Sequence, residues 1–202
     1  TSAAIAGDTT GSKPAEVSTA KPKLADSKPF FKPKTATLTA SVVPEQVNPG
    51  GEVTYRVTAS MKPGYHIYAL EKLKEGAREA KPEPTSIDFF ENGGLTIQGD
   101  WVASHQPIEH ADPNFDNALV KYHEGEVTWS IKLKVPTDAP AGKRELLSQA
   151  RYMICNDKSC SQIGQWTLPA ATVTIASADA PAVPIAASAP AAKAEASASA
   201  NL

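Results

Sequence analysis

The stretch Val127-Thr128-Trp129-Ser130-Ile131-Lys132-Leu133-Lys134-Val135 puts a large apolar residue at every second position, with Thr, Ser and Lys between them. Successive side chains of an extended chain point to opposite faces. This pattern therefore predicts a strand with one face in a core and the other in water. Upstream, Val53, Tyr55, Val57 and Ala59 alternate in the same way with Glu52, Thr54, Arg56 and Thr58. Weaker alternation runs through 36–43, 65–70, 85–90, 95–98, 144–154 and 166–175. Turn formers break the runs at Asn48-Pro49-Gly50-Gly51, Lys62-Pro63-Gly64, Asn92-Gly93-Gly94 and 136–142. Short strands punctuated in this way predict an all-β, antiparallel sandwich.

Outside the strands the pattern changes. Residues 1–34 are rich in Thr, Ser, Ala, Lys and Pro, and residues 176–202 hold thirteen alanines with Pro181, Pro184 and Pro190. Neither end has the apolar stripe a packed element needs, so both are expected to be disordered arms around a sandwich at 35–175. The window 69–80 is helix-compatible but interrupted by Gly76, and reads as an exposed excursion. Residues 102–124 carry two prolines, three of the four histidines and no sustained alternation, which predicts a long loop suited to binding or to covering a site.

Composition narrows the function. The 41% hydrophobic content supports one ordinary core, and a net charge of −2 without a basic stripe removes the case for nucleic acid. No apolar run approaches the roughly eighteen residues that span a bilayer, so a soluble chain is expected, whether or not it is a processed piece of a longer protein. No serine nucleophile motif, phosphate-cradling glycine loop or Glu-rich metal helix is found, and neither metal nor small-molecule cofactor is expected.

Both cysteines lie in Arg151-Tyr152-Met153-Ile154-Cys155-Asn156-Asp157-Lys158-Ser159-Cys160, where a strand runs into a polar turn. Asn, Asp and Ser favour chain reversal, which brings the two sulfurs within bonding reach. Three readings are open at this point. One is a structural disulfide, one a redox-active pair, and one a zinc site completed by His66, His105, His110 or His123. The pair closes only a short loop, so as a staple it would contribute about 2 kcal/mol. Strand alternation puts Arg151, Met153 and Cys155 on one face, which with Lys158 offers nearby cations to stabilise a thiolate.

Together with Gly64-Tyr65-His66-Ile67-Tyr68 and the segment from Trp101 to Tyr122, the Tyr152–Cys160 motif resembles the N-terminal periplasmic domain of the thiol:disulfide interchange protein DsbD family over residues 36–175. That resemblance implies an immunoglobulin-like fold and an extracytoplasmic location. It implies that Cys155 and Cys160 are the catalytic pair of a protein-disulfide reductase. They would take electrons from a membrane-embedded thiol reductase domain and pass them to oxidised thioredoxin-like proteins, in the setting of cytochrome c biogenesis. Counting back seven residues from Tyr122 places the family's cap aromatic on Phe115, with Tyr65, Tyr68, Asp112, Tyr122 and Tyr152 as site neighbours. By the same analogy Cys160 faces the partner. The chain departs from the family in a turn one residue shorter between the cysteines, in Ser161-Gln162-Ile163 where prolines are common, and in Pro113-Asn114 where acidic residues precede the cap. The rival reading is a non-catalytic interaction sandwich whose disulfide only holds a turn.

Overall fold

A computed structural model describes residues 34–70 and 82–177. The expected arms, apart from a few residues at their inner ends, and nearly all of the helix-compatible window lie outside this range. In chain order the strands are β1 (Ala36–Val43), β2 (Gln46–Val47), β3 (Glu52–Met61), β4 (His66–Tyr68), β5 (Ser86–Glu91), β6 (Thr96–Ala103) and β7 (Ile108–Asp112). After a 3-10 turn at Pro113–Phe115 come β8 (Ala118–Glu124), β9 (Glu126–Lys134), β10 (Gly142–Tyr152), β11 (Ile154–Asn156), β12 (Ser159–Cys160), β13 (Gly164–Thr167) and β14 (Ala171–Ile175).

The fold is an immunoglobulin-like antiparallel β-sandwich. One sheet runs β1-β3-β9-β6; the facing one runs β13-β10-β14-β2, with β5 also paired to β10. Among the described residues the strands pair antiparallel except β14 with β2, and an isolated bridge of Leu70 with Thr85 is also parallel. The two strongly alternating stretches become the centre of the first sheet, where Val57 lies opposite Trp129 and Tyr55 opposite Ile131. Their apolar faces are buried together with Leu146, Ala150, Tyr152 and Val173 from the second sheet. Tyr55 joins the layers, since its hydroxyl meets Ser148 Oγ at 2.8 Å and its ring lies 4.8 Å from Phe89. At Lys62-Pro63-Gly64, Tyr65 N donates to Lys62 O (3.1 Å), and the positive φ of Gly64 (79°) suits the third position of a turn with proline second.

A third, smaller sheet of order β12-β11-β4-β8-β7 carries the cysteines. It corrects two expectations. Residues 102–124 are not a long loop. They hold the end of β6, then β7, the 3-10 turn and β8, and β7 and β8 pair from Ile108 opposite Tyr122 to Asp112 opposite Ala118. Alternation was weak here because this hairpin buries so little. In β7 only Asp112 is buried, and in β8 only Val120 and His123. The second correction concerns Arg151 and Cys155, which do not share a face. The chain changes sheets at Met153: Arg151 lies opposite Gln165 and Ser86 in the second sheet, while Cys155 lies opposite His66 and Cys160 in the third. The alternation restarts there, so Ile154 and Cys155 are both buried, and Arg151 donates from Nε to Glu83 Oε1 (2.6 Å) instead of serving the sulfurs.

Candidate functional site

Cys155 and Cys160 are directly opposed residues of the β11–β12 hairpin and are joined, with S–S 2.05 Å and Cα–Cα 4.0 Å. The polar turn forms as its composition demands, with Asn156 Oδ1 accepting from Lys158 N and Ser159 N, each at 2.9 Å. Ser161 N donates to Ile154 O (2.7 Å) and closes the far end. The two sulfurs are unequal: Cys155 is wholly buried and Cys160 half-buried on the edge strand.

Tyr68 reaches over from β4. Its hydroxyl donates to Asp112 Oδ2 at 2.6 Å and lies 3.2 Å from Cys155 Sγ and 3.9 Å from Cys160 Sγ. Burial, and then the hydrogen bond to and charge of Asp112, raise its phenol well above the usual tyrosine range. Burial works against the Asp112 carboxylate, but hydrogen bonds from Tyr68 and from Asn114 outweigh it and hold the carboxyl below its ordinary value. Asp112 also caps the 3-10 turn, because its Oδ1 accepts from Asn114 N (2.8 Å) and Nδ2 (2.9 Å). Asn114 Nδ2 reaches on to Asn156 O at 3.2 Å, tying the β7–β8 tip to the cysteine hairpin. Asp116 and Asn117 complete that tip with φ of 53° and 59°, a conformation that Asp and Asn tolerate better than most residues.

Phe115 sits on this tip, half-buried, against the cluster of Tyr68, Val120 and Cys155 that Cys160 and Met153 also join. Its ring meets that of Tyr68 edge-on at 5.9 Å. Tyr122, opposite Tyr68, lies beside the site with its ring 4.4 Å from that of His66. Two of the expected neighbours fall elsewhere. Tyr65 packs against the main core, and Tyr152 is buried inside it beneath Gly164, where an added Cβ would come within 2.8 Å of the ring.

Sequence reasoning missed Asn114 and Asn156 as tethers, and weighed His66 only as a zinc ligand. The signal for His66 was its spacing of two from Tyr68, which puts both on one strand face. His66, His110, Asp112, Asn114, Tyr122 and Asn156 line a cleft of about 300 Å³ beside the disulfide. His105 and His123 instead meet each other, Nε2 to Nδ1, at 3.2 Å. Among the described residues no group of three or more His, Cys, Asp or Glu side chains is placed to hold a metal ion, and no helix is long and apolar enough to cross a membrane.

Fold and site together define a class: an immunoglobulin-like sandwich with a bonded cysteine pair beneath the tip of a neighbouring hairpin. No family model and no curated protein matches the chain. Solved structures with a similar fold include the N-terminal periplasmic domain of ScsB from Proteus mirabilis, at 16% identity over 70% of this chain and 48% of that one, with a TM-score of 0.43. They also include the reduced N-terminal domain of DsbD from Neisseria meningitidis, at 13% identity over 69% and 90%, TM-score 0.39. A third is BcpA, the major pilin subunit of Bacillus cereus, at 16% identity over 69% and 40%, TM-score 0.38. The chain thus spans about half the length of the ScsB structure it matches.

Proposed function

We propose that Cys155 and Cys160 are the working groups of an extracytoplasmic thiol:disulfide exchange domain. It passes reducing equivalents to oxidised thioredoxin-like proteins and is itself reduced by a membrane-embedded thiol reductase domain. The observation that carries this reading is the placement of the pair. The disulfide joins two residues of a hairpin already closed by its own backbone, so stapling adds little, and a separate element with an aromatic tip lies over it. Domain limits of 35–175 are part of the same reading.

In the reduced domain the half-buried Cys160 is the sulfur a partner can reach. Its thiolate attacks one sulfur of the partner disulfide, forming a mixed disulfide and releasing the other partner sulfur as a thiolate. Cys155, held beneath, then attacks Cys160 Sγ, restoring the intramolecular bond and freeing the partner as a dithiol. The Tyr68 hydroxyl has one proton, which Asp112 holds in the disulfide state; at 3.2 Å from Cys155 Sγ it is placed to turn toward a developing thiolate. Phe115 keeps small thiols off the pair until a partner displaces the hairpin tip.

The test is reduction of a panel of thioredoxin-fold disulfides by the reduced protein. Cys160→Ala should abolish exchange, and Cys155→Ala should trap a mixed disulfide through Cys160. Wild-type rates in both variants, or a reduction potential below about −300 mV as in structural bridges, would favour the interaction-sandwich reading instead.

A further inference from the structure

Four side chains stand in one row across the third sheet. Glu124, His66, Cys155 and Cys160 are successive cross-strand partners on β8, β4, β11 and β12. Directly opposed residues project to the same face with Cβ atoms about 5 Å apart, so His66 is the disulfide's neighbour within the row. It is only 8% exposed, its Nε2 has no hydrogen-bond partner among the described residues, and Asp112 Oδ2 lies 3.8 Å from it. Leaving a buried ring nitrogen unpaired costs free energy that a purely structural side chain at this position would not need to bear.

We infer that His66 is a positioning residue of the dithiol: it takes up the proton that leaves a cysteine thiol, and the imidazolium beside Asp112 then holds the thiolate ready to attack. The inference rests on reading the pair as an exchange site and adds the group that manages its protons. The reduced pair is two thiols. Transfer of one proton to the imidazole leaves a thiolate and an imidazolium. The thiolate bonds to one partner sulfur, and the expelled partner sulfur leaves as a thiolate that takes the proton back. The second thiol gives up its proton by the same route as it displaces the partner. Two electrons and two protons thus pass from the cysteine pair to the partner, with His66 unchanged at the end.

The groups facing His66 are Asp112 and His110 from β7, Tyr122 and Glu124 from β8, Tyr68 from β4, and Asp157 in the β11–β12 turn. Burial lowers the His66 pKa; Asp112, Glu124 and Asp157 oppose that and His110 reinforces it, and the net position is below the ordinary imidazole value. In the oxidised protein the ring is therefore neutral at pH 7, able to accept a proton. A thiolate in the same row adds a further anion, so the two titrations are linked: the imidazole pKa rises on reduction and the thiol pKa falls in return.

Two measurements test this. The His66 ring is titrated by NMR in the oxidised protein and in protein reduced with excess phosphine, and the reduced wild type and His66→Gln are alkylated with iodoacetamide across pH. The expected result is a higher His66 midpoint in the reduced protein. The variant should alkylate about tenfold more slowly than wild type near pH 6 and at the same rate near pH 10, where thiols ionise unaided. Equal midpoints in the two redox states, or uniform slowing of the variant at every pH, would overturn the inference. Both measurements need only reduced cysteines, so failure to reduce thioredoxin-like proteins would count against the partner reading and not against His66. If His66→Gln does not fold, the wild-type titration alone decides.

Discussion

Phe115 is the side chain at which packing and the proposed control of access can be separated. Its ring is half-buried on a turn, touching Tyr68 and the sulfur cluster and not the sandwich core. Phe115→Ala should therefore cost about 1–2 kcal/mol, less than the roughly 3–5 kcal/mol of a core aromatic such as Trp129. It should also speed reduction of the disulfide by a small thiol severalfold. Stopped-flow reduction together with urea unfolding separates the two effects. A core-sized loss of stability with unchanged reduction would mean that the ring only packs. Tyr68 and Asp112 were visible in the sequence as neighbours by resemblance, but the hydrogen bond between them depends on β4 and the end of β7 arriving from opposite sides of β8.

The β7–β8 hairpin does its work at the level of the element. β8 is anchored by its pairing with β4, but few residues of the hairpin are buried, and its tip is held by the Asp112 cap with its bond from Tyr68, the Asn114 bridge to Asn156 and the packing of Phe115. A weakly held tip opens at low free-energy cost, as the proposed shielding role requires. Asn114→Ala removes both side-chain hydrogen bonds and should cost about 1–2 kcal/mol. Because the tip then releases more readily, small-thiol reduction should accelerate even though Phe115 is intact, and hydrogen exchange should increase at the tip more than in β3 or β9. An exchange pattern unchanged at the tip would count against the tether.

For the whole molecule, stability and redox state should be only loosely coupled. The disulfide closes a loop of about six residues in a hairpin outside the main core, so reduction should lower stability by about 2 kcal/mol and leave the sandwich folded, as urea unfolding with and without reductant would show. Acid should matter more. His123 is buried against Trp129, and burial, then the nearby His105, bring its pKa down to about 4. In the unfolded chain it titrates at an ordinary imidazole value, so between about pH 6.5 and 4 the unfolded state binds more protons. Stability should be full above that window and fall through it by on the order of 2–3 kcal/mol. His123→Gln should flatten that slope in unfolding measured at several pH values.

The sequence by itself determined the class of the fold and the place of the cysteine turn. Alternation in 52–61 and 126–134 requires two-faced strands, because a period of two can bury one face only in extended chain, and Asn156 to Ser159 must turn, because their side chains bond the local backbone. These are local causes, legible one segment at a time. The tertiary structure alone decided the rest. That 102–124 is a hairpin follows from a ladder between segments that bury almost nothing. That Arg151 is turned away from Cys155 follows from a change of sheet at Met153, and that His66 stands in line with the sulfurs follows from the register of β4 against β11. Each depends on which strand lies beside which, a matter of backbone pairing that leaves no periodic mark in the residues it joins.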